Sequence, residues 1–390
     1  MVNSKVITLD GLKIKLFFTL FIITLLTLFS STSHAKDKPY PGKLIDIGTH
    51  RLYINCKGEG SPTVIIDSGI GGFSLEWTRI QDEISSSVRV CSYDRAGYGW
   101  SDPGPRPRTT AQISFELKRL LTAARIPGPY ILIGHSFGGY NIRYFASQYP
   151  ELVAGMVFVD SSHPEQFNTE EFKRIHTVNN DLNSQKYKNS FKVRLVRPVI
   201  ANNYPEENKH MAYILMSTMK AQLTLMDELD NMELSAKQVS LNEHPPYNFP
   251  VVIITRGKRV WPENKSGDRK EKQWTLLQND LENISYQSYH YLARQSGHIV
   301  HLDEPELVSE NILFEINRAK AYMHEKELIE KFDIRLAHFG IVPTIHDFDV
   351  NYSYRDALDS NLFIQDNPIH QVLYNPNSQN LENQVLFTLR

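Results

Sequence analysis

Apolar and polar positions follow two different periods along the first half of the chain. Runs rich in β-branched residues predict strands, at about 51–56, 63–67, 88–93, 130–133 and 153–159. Between them lie stretches with apolar residues at helical spacing, such as Asn141 to Gln148. Strands that alternate with helices and are apolar throughout are typical of a mostly parallel sheet covered by helices on both faces. The pattern therefore predicts an α/β fold.

The pattern changes in the second half of the chain. Residues 165–248 are polar and helical, and we interpret them as a helical cap inserted into an α/β domain that spans 43–332. Strand patterns return at 251–255 and 286–292, and a last helix is predicted from Pro305 to about Phe332. Residues 333–390 are rich in Asn and Asp without periodicity, and they are expected to be a C-terminal extension of unknown role.

The N-terminal segment has the pattern of a secretory signal peptide. Three lysines precede an apolar run from Leu16 to Phe29, and small residues lead to Ala35. A run of 14 residues is short for a membrane-spanning helix, which needs about 20. We expect residues 1–35 to be removed and the protein to be exported to the periplasm or secreted. The alternative is an uncleaved N-terminal membrane anchor.

Composition and charge exclude several classes of function. Lys and Arg total 42 against 44 Asp and Glu, so no overall positive charge attracts nucleic acid. Two cysteines allow one disulfide but no disulfide-rich scaffold and no four-thiolate zinc site. The chain contains no HExxH motif, and we predict neither a metal nor a cofactor.

A glycine-rich segment follows the predicted strand at 130–133 and precedes a helix. It reads Gly134-His135-Ser136-Phe137-Gly138-Gly139, a GxSxG pattern in the strand–turn–helix setting where such a serine serves as a nucleophile. Ser136 is therefore the candidate nucleophile. A serine hydroxyl needs a base within hydrogen-bond reach and a third group that orients the base.

Four motifs in order resemble the landmarks of the α/β-hydrolase superfamily. They are 67–72 (DSGIGG), 93–102 (YDRAGYGWSD), 134–139 (GHSFGG) and 296–298 (SGH) before 303–305 (DEP). The resemblance is to the esterase, aminopeptidase-like and haloperoxidase-like branch, and it covers about residues 43–330. In this superfamily the catalytic histidine comes last in the chain, which favours His298. His301 is the near alternative, and its simpler interpretation is a surface histidine beside Asp303.

The resemblance leaves more than one candidate for the catalytic acid. The usual position, after the next-to-last strand, carries Lys, Arg or Val here. Some members place the acid after the strand that follows the nucleophile's turn, here called the elbow (134–139). This placement favours Asp160, and Glu263 and Asp268 are the alternatives. The resemblance also implies that the amides of Ile70 and Phe137 bind the oxyanion. It places the strands of Cys56 and Cys91 side by side, so that an exported protein would form a disulfide between them.

These patterns predict an exported serine hydrolase that cleaves a carboxylic ester through an acyl-enzyme. An aminopeptidase or amidase of the same fold is the second hypothesis, and a catalytically inactive binding domain is the third. The expected partner is a small-molecule acyl substrate. Contact with a membrane is expected only if the N-terminal segment is not cleaved.

Overall fold

The computed structural model describes residues 41–168, 203–242 and 246–338. The predicted signal peptide (1–35) and the extension beyond residue 338 lie outside the described residues, as do residues 169–202 of the predicted cap. The strands are β1 (Lys43–Asp46), β2 (Arg51–Lys57), β3 (Thr63–Asp67), β4 (Val90–Tyr93), β5 (Tyr130–His135), β6 (Val153–Val159), β7 (Val251–Arg256) and β8 (Ser288–Ala293).

Helices follow most of the strands. The α-helices are α1 (Thr78–Ile84), α2 (Thr110–Ala123), α3 (Gly138–Gln148), α4 (Glu206–Met216), α5 (Met219–Asp230), α6 (Met232–Ser240), α7 (Lys265–Asp280), α8 (Val300–Asp303) and α9 (Pro305–His338). Short 3-10 turns occur at Ser74–Trp77, Pro150–Leu152, Pro164–Asn168 and Leu281–Ile284. Within the described ranges, no helix is both long enough and apolar enough to cross a membrane.

The strands form one sheet of eight strands in the order β1-β2-β4-β3-β5-β6-β7-β8. The pairs β1–β2 and β2–β4 are antiparallel, and every later pair is parallel. The carboxyl ends of β3, β5, β6, β7 and β8 therefore meet at one edge of the sheet. Loops that follow these strands carry the predicted site residues, so the topology gathers them at this edge.

Alternate residues of the central strands pack into two cores. In β3, Ile65 contacts the core under α2 and α3, whereas Val64 and Ile66 contact the core under α1 and α9. Successive side chains of a strand point to opposite faces, so a strand covered on both sides is apolar at every position. The predicted α/β fold, with helices on both faces of a mostly parallel sheet, is confirmed.

Several strand ends differ from the predicted ones by one or two residues, and two differences are larger. The last helix continues to His338, so the boundary predicted near Phe332 falls inside a helix. β1 was not predicted as a separate strand, because it is only four residues long and mostly exposed, which leaves no apolar run to detect. Helices α4, α5 and α6 lie within the predicted cap insertion.

Cys56 and Cys91 form a disulfide between neighbouring strands. They are directly opposite each other in the antiparallel pair β2–β4, with their Cα atoms 4.0 Å apart. Cys91 is buried and Cys56 is exposed. The bond ties the outer, antiparallel part of the sheet to the parallel part.

Removal of this disulfide is expected to destabilise the fold. It closes a loop with a sequence separation of 35 residues, and the chain-entropy model gives a loss of about 4 kcal/mol in the free energy of unfolding. Denaturant unfolding of Cys56→Ala/Cys91→Ala without reductant, compared with the unsubstituted protein, measures the loss. The difference in the free energy of unfolding should vanish when both proteins are measured with reductant. Two free thiols in the unreduced, denatured protein would contradict the pairing.

Candidate active site

Ser136 lies on a tight turn between β5 and α3. Its φ is +50°, a left-handed conformation that is strained for a residue with a side chain. Two backbone hydrogen bonds to the neighbouring strand end hold the turn: the Ser136 amide donates to the Val159 carbonyl (3.3 Å), and the Ser136 carbonyl accepts from the Ser162 amide (2.9 Å). A Cβ at Gly138 would overlap the carbonyl of Asp67, so the turn requires glycine there.

His298 joins Ser136 to Asp160. Nε2 of His298 lies 3.0 Å from Oγ of Ser136, and Nδ1 lies 2.6 Å from Oδ2 of Asp160. An ionised carboxylate only accepts hydrogen bonds, so Nδ1 carries the proton and Nε2 presents its lone pair to the serine hydroxyl. The three predicted residues thus form one continuous series of hydrogen bonds.

The two other candidate acids are not part of this series. Asp268 forms an ion pair with Arg259 at 2.7 Å, and Glu263 is exposed on the loop before α7. Asp160, in contrast, is fully buried at the end of β6. Its φ of +40° turns the chain sharply where the carboxylate meets His298.

Asp160 is held in its ionised form by several donors. Arg256 Nη1 donates to Oδ2 (2.9 Å) and the Trp274 indole donates to Oδ1 (2.8 Å). Burial alone would raise the pKa of Asp160, but the hydrogen bond from His298 and the charges of His298 and Arg256 hold that pKa below its ordinary value. The carboxylate therefore stays charged at neutral pH and can stabilise a protonated His298.

Arg256 is fixed between aromatic rings and acids. Its guanidinium lies 4.7 Å from the ring centre of Trp261 and 4.8 Å from that of Trp274. It also donates to Glu271 (3.2 Å), which accepts from the backbone amides of Val260 and Trp261. Sequence reasoning missed Arg256, Trp261, Glu271 and Trp274. The one available signal was an Arg and a Trp in the loop where this family commonly carries the acid.

The loop after β3 lies directly against the nucleophile. A Cβ at Gly69 would lie 3.2 Å from the Ser136 Cβ, so Gly69, which directly precedes Ile70, packs against the nucleophile. Phe137 directly follows Ser136 and precedes the first turn of α3. In the described part of the chain, no hydrogen bond uses the amide of Ile70 or Phe137. Neither predicted oxyanion donor is therefore engaged in a hydrogen bond among the described residues.

Arg95 connects this loop to the cap. The guanidinium donates to the Asp67 carboxylate (2.9 Å) and to the Gly69 carbonyl (2.8 Å). On its other side it donates to both carboxylate oxygens of Glu228 in α5, at 2.8 and 2.9 Å. Arg95, Asp67 and Glu228 are all buried. Arg95 thus ties the loop after β4 to the loop after β3 and to helix α5.

A cavity of about 380 Å³ opens beside the nucleophile. Apolar and aromatic side chains form much of its wall, and polar groups surround Ser136. Its lining residues are Ser136, Ser162, Gln166, Met232, Arg256, Val260, Trp261, Trp274 and His298. Met232 comes from α6 of the cap and Trp274 from α7, whereas the other residues lie at the end of a strand or in a segment that follows one. The cavity is large enough for a small organic molecule.

Two further buried histidines lie close to His298, because the rings of His135 and His298 are 4.9 Å apart and those of His135 and His301 are 4.6 Å apart. His135 donates through Nε2 to the backbone carbonyl of His298 (2.9 Å). His301 does not contact Ser136, and the interpretation as a surface histidine is wrong, because its side chain is 1% exposed and stacks on Trp77 at 4.0 Å. Helix α8 turns it towards the interior, and no local pattern reveals this.

Comparisons with known proteins agree with this architecture. Residues 62–204 match a family model described as the alpha/beta hydrolase fold. An "AB hydrolase superfamily protein" of Gibberella zeae is 28% identical over 303 residues, which cover 67% of this chain and 90% of the relative. A "probable transporter efuK" of Hormonema carpetanum is 38% identical over 139 residues, 34% of this chain, and the match spans only 19% of that relative's length.

Solved structures share the fold at low sequence identity. A thermophilic esterase from Thermogutta terrifontis aligns with a TM-score of 0.51 and 17% identity, over 72% of this chain and 99% of the esterase. An esterase from Exiguobacterium antarcticum aligns with a TM-score of 0.53 and 15% identity, over 71% and 99%. The family model that matches residues 62–204 and the shared architecture lead to one conclusion: this chain has the α/β-hydrolase fold.

Proposed function

We propose that this protein is an exported serine hydrolase that cleaves a carboxylic ester of a small molecule. The observation that carries the proposal is the continuous hydrogen-bond series from Ser136 through His298 to the buried Asp160, beside a cavity. A neutral serine is a weak nucleophile, and this series supplies the base and the group that orients it. An aspartate nucleophile, which dehalogenase chemistry needs, is absent from position 136.

The proposed reaction has two stages. The Ser136 oxygen attacks the ester carbonyl while His298 Nε2 takes its proton, and the imidazolium then protonates the departing alcohol. The acyl group remains on Ser136. His298 next removes a proton from water, which attacks the acyl-enzyme; the bond from the acyl carbon to the Ser136 oxygen then breaks, the imidazolium returns its proton to that oxygen, and the carboxylic acid is released. Asp160 remains ionised throughout and stabilises the imidazolium of each stage.

The amides of Ile70 and Phe137 are the proposed donors to the oxyanion. Negative charge develops on the carbonyl oxygen as Ser136 attacks, and fixed backbone donors stabilise it without rearrangement. Arg95 holds the Gly69 carbonyl, so the loop that carries Ile70 is fixed before substrate binds. The start of α3 fixes Phe137 in the same way.

The cavity favours an ester over an N-terminal peptide substrate. Recognition of a free α-amino group calls for a carboxylate in the binding site, since a buried cation needs a counter-charge. None of the described residues that line the cavity is an acid. Trp261, Trp274 and Met232 instead offer apolar surface for an acyl chain or an alcohol group.

Export is supported by two independent features. The N-terminal segment has the basic, apolar and small-residue order of a signal peptide. The Cys56–Cys91 disulfide is a bond that persists in oxidising compartments and is rare in the cytosol.

Reaction with a fluorophosphonate probe tests the proposed nucleophile. The Ser136 oxygen should attack phosphorus and displace fluoride, which leaves one stable phosphonyl group per chain. Peptide mass spectrometry should locate that group on Ser136. Ser162→Ala is the matched control, because Ser162 lines the same cavity without contacting His298 in the described structure, and it should label as fast as the unsubstituted protein.

Two results would contradict the proposed function. Absence of labelling in folded protein, together with no hydrolysis of p-nitrophenyl esters, would favour an inactive binding domain. Labelling with turnover of aminoacyl amides but not of esters would favour the aminopeptidase or amidase alternative.

A further inference from the structure

A buried group of three titratable side chains lies near the elbow but does not line the cavity. Glu76, His135 and His301 each offer one ligand atom, and these atoms all lie within 4.8 Å of one another. Their side chains come from three segments: the 3-10 turn Ser74–Trp77, the end of β5 and the helix α8. The proposed reaction uses none of the three.

The polar atoms of this cluster lack hydrogen-bond partners. Oε1 of Glu76, Nδ1 of His135 and both ring nitrogens of His301 are buried without a partner among the described residues. The three residues are only 8%, 3% and 1% exposed. The separation of 3.7 Å between His301 Nε2 and Glu76 Oε1 is too long for a hydrogen bond. Buried polar atoms left unpaired are costly, so several at one point indicate a ligand.

The chemistry of the cluster fits a metal ion. His135 donates its Nε2 proton to the His298 carbonyl, so its Nδ1 presents a lone pair to the cluster. Two imidazoles and one carboxylate are a common ligand set for Zn²⁺ and other divalent first-row ions. Such an ion would also neutralise the Glu76 carboxylate, which has no Lys or Arg ion-pair partner in the described structure.

The space at the cluster depends on glycine. A Cβ at Gly69 would lie 2.7 Å from Nδ1 of His135, and a Cβ at Gly72 would overlap the Glu76 carboxylate. Metal–ligand bonds of about 2.0–2.2 Å separate tetrahedral ligand atoms by about 3.4 Å. The present separations therefore require only side-chain adjustments on the order of 1 Å.

We propose that Glu76, His135 and His301 bind a divalent first-row transition metal ion, with Zn²⁺ as the representative ion. The ion joins the turn Ser74–Trp77, the elbow and α8. Through the hydrogen bond from His135 to the His298 carbonyl, it fixes the backbone that carries His298. Its role is structural, because the cluster does not line the cavity.

Metal binding is measured on the protein purified without a polyhistidine tag and treated with EDTA. Calorimetric titration with ZnCl₂ should show one ion per chain. Zinc in 100-fold excess over Kd should raise Tm by on the order of 5 °C. Co²⁺ should give visible absorption bands of a nitrogen- and oxygen-ligated ion, and Zn²⁺ should displace them. None of these measurements depends on hydrolase activity.

Variants assign the binding to this cluster. His301→Phe keeps a ring against Trp77 but removes both nitrogens, and Glu76→Gln keeps the shape but removes the charge. Both should lose the zinc-dependent rise in Tm. His290→Gln removes a histidine that contacts Thr255 and Glu282 instead, and it should bind zinc like the unsubstituted protein.

Three results would overturn the metal site. The first is the absence of stoichiometric zinc uptake by the EDTA-treated protein. The second is zinc uptake by folded His301→Phe that equals the uptake by the unsubstituted protein. The third is loss of zinc uptake in His290→Gln. If the EDTA-treated protein takes up no zinc, a buried water molecule is the hydrogen-bond partner of the three side chains. Should His301→Phe fail to fold, Glu76→Gln and the Co²⁺ spectrum of the unsubstituted protein still decide the question.

Discussion

Replacing Ser136 with alanine is expected to lower kcat for p-nitrophenyl butyrate by about 10⁶-fold. The hydroxyl 3.0 Å from His298 Nε2 is the only group proposed to form the acyl-enzyme, and alanine leaves the rest of the site unchanged. The positive φ of position 136 accepts alanine as it accepts serine, so the fold should persist. Initial rates and circular dichroism on the same preparation check both statements.

Ser162→Ala gives the matched comparison for Ser136→Ala. The Ser162 amide, not its hydroxyl, makes the hydrogen bond to the Ser136 carbonyl, and alanine retains that amide. We expect kcat within about threefold of the unsubstituted protein. A Ser136→Ala protein that keeps more than about one hundredth of the activity would contradict a serine nucleophile.

The parts of the site that follow from sequence lie at strand ends. Ser136 is bracketed by a strand and a helix, so its position follows from local pattern. Asp160 directly follows an apolar strand, but its assignment as the acid rested on the resemblance to the family. The histidine assignment needed the family's chain order in addition. Local pattern therefore predicted the fold and the nucleophile, whereas His298 and Asp160 were assigned through the resemblance.

The support of Asp160 could not be predicted in this way. Arg256 and Trp274 contact the carboxylate from 96 and 114 positions further along the chain. Helix α7, which carries Trp274, is mostly polar, and its sequence does not show which residue faces the site. The Arg95–Glu228 contact spans 133 positions and joins the sheet to the cap. Such contacts depend on how the cap and α7 pack, and helical periodicity does not encode that packing.

Replacing Asp160 with asparagine is expected to lower kcat by about 10⁴-fold. The asparagine amide can donate a hydrogen bond to Nδ1 of His298. The imidazole proton would then be on Nε2, the nitrogen that faces the serine hydroxyl. His298 would then have no lone pair with which to accept the Ser136 proton. The variant would also lack the negative charge that stabilises the imidazolium. Steady-state kinetics with p-nitrophenyl butyrate measures the loss.

Glu271→Gln distinguishes the loss of the carboxylate beside His298 from the loss of an ion pair with Arg256. Glu271 is the second acidic partner of Arg256 but does not contact His298 in the described structure, and the glutamine side-chain oxygen can still accept from the Val260 and Trp261 amides. We expect a loss in kcat of less than about tenfold. Glu263→Gln and Asp268→Asn should leave kcat within about threefold. Near-normal turnover by folded Asp160→Asn would contradict Asp160 as the catalytic acid. A large loss of turnover in Glu263→Gln or in Asp268→Asn would then assign the acid to the residue whose substitution causes the loss.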